Sequence, residues 1–236
     1  MLKDSEIVNL YVGPNNNNCY LVQASLLKSN SPGLHRQIEA FKADYRGKPV
    51  TLHFYNDDPK VWETLLYWII HHKLPRDLTS YEIDDDSIRT NFTNFDADNL
   101  PLLHAWLLGE RTGIEEFQDT IMLELLRNHK LRPISLDLTT KIFALAPEKS
   151  VMRKFLAEHV VRLLKGVTIN RDFYRIRPSD LGEMAKIPGA MEAVVAAQEM
   201  YAGFGADMFN RIPGDGEGWQ SLMVAEGPKQ HWVYEQ

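Results

Sequence analysis

A chain of 236 residues, 44% hydrophobic and 25% charged, has the make-up of a globular protein able to bury a sizeable core. Its formal net charge of −6 argues against broad, phosphate-driven binding of nucleic acid, which needs a concentrated basic face. A single cysteine, Cys19, excludes an internal disulfide and a multi-cysteine zinc site, and it fits a reducing compartment, cytosol or nucleus.

The start, MLKDSEIVNLYVG, lacks the apolar core of a signal peptide, and no window reaches the roughly eighteen apolar residues of a membrane span. Ile7–Val12 (IVNLYV) is rich in β-formers, and Cys19–Val22 is similar. Between them stand Gly13-Pro14 and the asparagine run Asn15–Asn18, a hairpin loop by its tolerance of left-handed backbone. Ala24–Lys28 has helical character. Ser31-Pro32 then starts a second helix, continued by Leu34, Ile38 and Phe41. Val50–Tyr55 (VTLHFY) is a strand with Val50, Leu52 and Phe54 on one face. Asp57-Asp58-Pro59 caps the strongest helix, whose stripe is Val61, Trp62, Leu65, Leu66, Ile69 and Ile70 and which ends at Lys73-Leu74-Pro75.

Arg76–Asn99 is aperiodic and acidic around Asp84-Asp85-Asp86. It is expected to be a long surface loop, without the ligand spacing of an EF-hand. Leu102–Arg111 is helical, Thr112-Gly113-Ile114 breaks it, and Phe117, Ile121, Leu125 and Leu126 complete a helical hairpin. Helices follow around Leu136–Ala146 and Glu148–Lys165. The second has an apolar stripe through Phe155, His159 and Leu163, and a solvated basic face of Arg153, Lys154, Arg162 and Lys165. Ser179–Tyr201 is expected to be helical with a break at Pro188-Gly189. Beyond Gly203 the chain is glycine-rich but keeps Trp219, Met223, Trp232 and Tyr234, so this tail either packs back or docks onto a partner.

No catalytic constellation stands out. There is no HExxH, Walker loop or GxSxG. Cys19 is expected to be a small buried hydrophobe, and His71-His72 would point about 100° apart on a helix, a poor metal pair. No catalytic residue, cofactor or metal is therefore expected.

The ordered set of segments resembles the BTB/POZ domain, in the divergent form common in filamentous fungi. The resemblance rests on VNLYVGP at Val8–Pro14, YLVQASLLKSNSP at Tyr20–Pro32, DDPKVWETLLYWI at Asp57–Ile69 and LLHAWLLGERTGIEEFQD at Leu102–Asp119. FALAPEKSVMRKFL at Phe143–Leu156 is similar to the segment that follows the domain in those proteins. Gln23 stands where the family usually has histidine, Leu34 where phenylalanine follows Ser-Pro, and Trp106 and Leu108 where tyrosine and alanine are usual. The resemblance implies an α+β fold, a small sheet flanked by a helical cluster, over residues 5–130. A helical extension at 131–202 and a tail at 203–236 would follow.

It also implies a non-enzymatic protein-interaction module, a scaffold or assembly domain, in the cytoplasm or nucleus. The alternatives are a substrate adaptor of a cullin-type ubiquitin ligase and an enzyme of unrecognised type. Protein partners, a cullin among the candidates, are expected, with no direct nucleic acid and no membrane. About six residues precede Ile7, too few for the helix that precedes the first strand in the common strand-exchanged dimer, so that dimer is expected to be absent. The candidate partner-binding residues are Asp57, Asp58, Trp62, Glu63 and Trp106, with Trp219 and Trp232 in the tail.

Overall fold

The computed structural model describes residues 6–14, 18–79, 95–129, 134–165, 176–202 and 222–224. The fold is α+β. In chain order the elements are β1 (Ile7–Val12), β2 (Asn18–Gln23), α1 (Ala24–Asn30), α2 (Pro32–Asp44), β3 (Val50–Phe54) and α3 (Pro59–His71). They continue with α4 (Arg76–Thr79), α5 (Phe95–Thr112), α6 (Glu115–His129), α7 (Leu136–Leu145) and α8 (Val151–Lys165). Two 3-10 turns, Pro178–Gly182 and Met184–Lys186, precede α9 (Ala190–Ala202). The chain divides into two compact units, Met1–Ser80 with His104–Ile121, and Tyr81–Leu103 with Met122–Gln236.

The first unit is built on a three-stranded sheet of order β2-β1-β3. β1 pairs antiparallel with β2, from Ile7↔Gln23 to Val12↔Asn18, and parallel with β3, from Val8↔Val50 to Val12↔Phe54. A parallel pair needs a return connection: β2 brings the chain back to the end where β1 starts, and α1 and α2 carry it past β1 to β3. Val8, Leu10 and Val12 are fully buried, with Val50 and Leu52 beside them on the same face. Over that face lie Leu27 of α1 and Leu34 and Ile38 of α2, while Trp62 of α3 packs against Phe54 with ring centroids 4.3 Å apart and Leu65 and Ile69 of α3 are buried.

Ser31 joins two parts of this unit. Its buried Oγ accepts from Leu34 N at 3.0 Å, capping α2, and donates to Thr112 O at 2.6 Å, at the end of α5. Gly33 makes the approach possible, since a Cβ there would lie 2.6 Å from Thr112 O. Gly113, at φ +69°, closes α5. Ile114 N donates to Gly109 O at 3.0 Å and Gly113 N to Glu110 O at 3.2 Å, the bond pattern of a Schellman stop.

In the second unit Ser135 caps α7 by accepting from Leu138 N at 3.1 Å. The Asp96 carboxylate, on the first turn of α5, accepts from both Ser135 N, at 2.9 Å, and the Ser135 hydroxyl. Arg153 of α8 donates from Nε to Ala146 O and from Nη1 to Pro188 O, each at 2.8 Å, with its guanidinium 5.0 Å from the Phe143 ring centroid.

Several expectations need correction. Arg76–Thr79 and Phe95–Asn99 are helical, not loop, while residues 80–94, with Asp84–Asp86, lie outside the described residues. α5 therefore begins well before Leu102 and carries Pro101 inside it. Arg153 is buried by its three contacts rather than solvated. Ser179–Lys186 forms 3-10 turns, and regular helix starts only after Pro188-Gly189. In α3, Ile70 is 60% exposed while Trp68 is buried, with its Nε1 donating to Thr120 Oγ1 at 3.2 Å. Cys19 is exposed, because its place on β2 is on the uncovered side of the sheet.

Two outcomes follow. Ser31→Ala removes a cap and leaves a buried carbonyl without its donor, so it should cost about 1–3 kcal/mol. Gly33→Ala should cost at least as much, because its Cβ meets rigid backbone; urea midpoints followed by circular dichroism check both. In the second unit, burial pushes the His159 pKa down to about 4, partly offset by its Nε2 hydrogen bond to Ile134 O (2.7 Å), with the Arg162 charge adding to the fall. The folded state thus prefers the neutral ring. That contribution is complete above about pH 6.5 and is lost as the pH falls towards 4. His159→Gln, which keeps an N–H donor but cannot protonate, should flatten the acid limb of stability against pH.

Candidate functional site

Among the described residues, helices cover one side of the sheet and leave the other open. On the open side the alternation of the strands places Ile7, Asn9 and Tyr11 of β1, Cys19, Leu21 and Gln23 of β2, and Thr51 and His53 of β3. The register groups them in rows, Leu21–Asn9–Thr51 and Cys19–Tyr11–His53. Leu21 is 70% exposed, Tyr55 50% and Ile7 42%. Tyr11, His53 and Tyr55 form a ladder of stacked rings, with centroids 5.2 Å apart at each step and planes 14° and 10° from parallel. A hydrogen bond that the Tyr11 hydroxyl donates to the neighbouring Cys19 side chain, with smaller effects of the thiol's charge and of burial, raises the Tyr11 pKa above its ordinary value.

β2 and β3 are the two outer strands, and hydrogen bonding fixes the backbone phase of β2. Ala24 N donates to Glu6 O at 2.8 Å, so Glu6 and Ala24 are opposed as a hydrogen-bonded pair. Hydrogen-bonded and non-hydrogen-bonded pairs alternate along an antiparallel ladder. Val22 and Tyr20 therefore turn their N–H and C=O groups toward β1, while Leu21 and Cys19 turn theirs outward. The residues with outward backbone are also those with side chains on the open face.

An acidic corner lies on the other side of β2. The Tyr20 hydroxyl donates to Glu63 Oε1 at 2.9 Å. Burial, that hydrogen bond, and the charges of Glu63 and Asp58 push its pKa up to about 12. Asp58 caps α3 by accepting from Lys60 N at 2.9 Å. Both Asp58 and Glu63 are exposed, and neither forms an ion pair among the described residues. Asp57 is different. Its carboxylate, 11% exposed, accepts from Trp62 Nε1 at 2.7 Å and from both Arg111 Nη atoms, Nη1 at 2.9 Å, which ties the start of α3 to the end of α5.

Of the residues singled out in the sequence, the structure brings Asp57, Asp58 and Glu63 together at the start of α3 and leaves Asp58 and Glu63 on the surface. Trp62 and Trp106 are fully buried, core side chains that a partner cannot touch, so their place among the binding residues is corrected. Trp219 and Trp232 lie outside the described residues. The open face, with Leu21, Ile7 and Tyr55, was missed. Its signal was present in the phase of β3, where Val50, Leu52 and Phe54 already marked the inner side.

In the second unit a cavity of about 540 Å³ lies between the start of α8 and α9, lined both by apolar side chains such as Ala193, Ala197 and Met200 and by charged ones such as Lys149, Lys154 and Glu192. Among the described residues no three His, Cys, Asp or Glu gather as metal ligands, and no helix is long and apolar enough to cross a membrane. Compared with known proteins, the chain matches no family model, no curated protein and no solved structure.

The raised Tyr20 pKa gives a test of the acidic corner. The folded state favours the protonated phenol, so its contribution is complete below about pH 10 and is lost as the pH rises towards 12. Over that interval Tyr20→Phe should lose less stability than the unaltered chain, as followed by urea midpoints at each pH.

Proposed function

We propose that this chain is a non-enzymatic protein-interaction module of BTB/POZ-like kind, acting as a scaffold or assembly domain. One observation carries the reading: a well-packed α+β unit leaves Leu21, Ile7 and Tyr55 exposed on one sheet face that is uncovered among the described residues, bordered by the outer edge of β2. Large apolar side chains gathered on one face mark contact surfaces more often than solvated ones. The order strand, strand, two helices, strand, long helix and helical hairpin supports it, because that is the order the resemblance led one to expect. The exposed thiol of Cys19 is in keeping with a reducing compartment, cytosol or nucleus.

Purification of the tagged chain from its native cells, with mass spectrometry, tests this. One or two proteins at near-stoichiometric amounts are expected. A cullin among them would specify a ligase adaptor, and recovery of no stoichiometric partner would overturn the reading.

A further inference from the structure

We propose that the outer edge of β2 takes up an extended partner segment as an added strand, and that this segment alternates apolar and basic side chains. The inference rests on the interaction-module reading and names the partner's chemistry.

The backbone provides the pairing. Leu21 and Cys19 direct N–H and C=O groups away from β1 along an unbroken, bulge-free register, and added strands use such a row for their main-chain hydrogen bonds. The flanking sides provide the selection. Side chains of an added strand alternate between the two faces of the sheet. Those on the open face would lie beside Leu21, 70% exposed, and extend the apolar surface that runs to Ile7. Those on the opposite face would lie beside Tyr20, where Glu63 and Asp58 hold exposed negative charge with no ion-pair partner among the described residues. Glu63 uses Oε1 for Tyr20 and keeps Oε2 for an incoming cation.

Charge separates this occupant from a second copy of the chain. The β2 sequence, NCYLVQ, has no cation, and self-pairing would bring a second Asp58–Glu63 pair to the same side of the joined sheet. Like charges brought together on one side of the joined sheet repel.

The test uses the 236-residue chain and an acetylated, amidated heptapeptide, Lys-Val-Lys-Leu-Lys-Val-Lys. Calorimetry gives affinity, and amide hydrogen exchange gives location. Binding should slow exchange at Cys19 and Leu21 by about tenfold or more. It should be absent for the peptide with proline at its centre, which keeps the charge but cannot pair, and for the peptide with glutamate in place of lysine. Glu63→Gln keeps the acceptor for Tyr20 and should weaken binding about two- to fivefold. Leu21→Lys, at an exposed site, should weaken it about tenfold with an unchanged melting temperature. Equal binding of the proline peptide, protection elsewhere, or indifference to both variants would overturn the proposal, and a concentration-dependent dimer that protects the same amides would assign the edge to a second copy instead. Should native-cell capture succeed equally with Leu21→Lys, the module reading stands and this site falls. Should capture recover nothing, the module reading falls whatever the peptide does.

Discussion

The parallel pairing of β1 with β3 is the constraint on which the rest of the first unit depends. β2 brings the chain back to the end of the sheet where β1 starts, and β3 starts at that same end on the far side of β1, so the chain between them must pass β1, and it does so as α1 and α2. Both pack on the face that carries Val8, Leu10 and Val12, and on that side Trp62 of α3 packs against Phe54 of β3. Parallel sheets usually have helices on both faces. Among the described residues this sheet has three strands with its helices on one side, a two-layer arrangement whose opposite face stays open. The same geometry makes β2 an edge strand, because β1 already pairs on both sides. Thus the open face and the open edge share one cause.

Single polar side chains fasten the helices around that sheet. Ser31 serves two backbone groups from one oxygen, and Asp57 serves an indole and a guanidinium from one carboxylate. Arg153 does the same for two carbonyls in the second unit. Each is at least partly buried, so loss of one partner leaves another polar group unsatisfied, which costs more than the bond alone contributes. This is why Asp57 belongs to the architecture while its neighbours Asp58 and Glu63, with charge turned to solvent, remain available.

Elements governed by local chemistry were legible in the sequence. Ser31-Pro32 and Asp58-Pro59 start helices because a short acceptor side chain followed by proline satisfies the first turn, and Gly113 stops one because it takes positive φ freely. What depends on distant partners was not. Phe95–Pro101 has the composition of a loop, yet the Asp96 carboxylate is engaged by Ser135, thirty-nine residues away. Arg153 belongs to a basic cluster in sequence, but Ala146 and Pro188 supply it with acceptors that no periodicity announces. In α3 the apolar stripe was too broad to give its own centre, so Ile70 was placed inside and Trp68 left out. Cys19 was misplaced for a simpler reason. NCYLVQ has apolar residues in both phases, and only pairing with β1 decides that Tyr20 and Val22 face inward.

An unpaired edge is a hazard as well as an opportunity. Edge strands are commonly guarded by lysine, proline or a bulge, and β2 has none of these between Asn18 and Gln23. Its protection against its own kind must come from elsewhere. The exposed carboxylates of Asp58 and Glu63 lie beside the edge, and the whole chain carries a charge of −6, so two copies approaching edge to edge repel. A segment that brings cations on one face meets attraction from the same groups. One arrangement of charge therefore discourages self-association and selects the partner, and added salt should weaken both effects together. The apolar contact at Leu21 would persist under salt, because its burial depends on area rather than on a screened field.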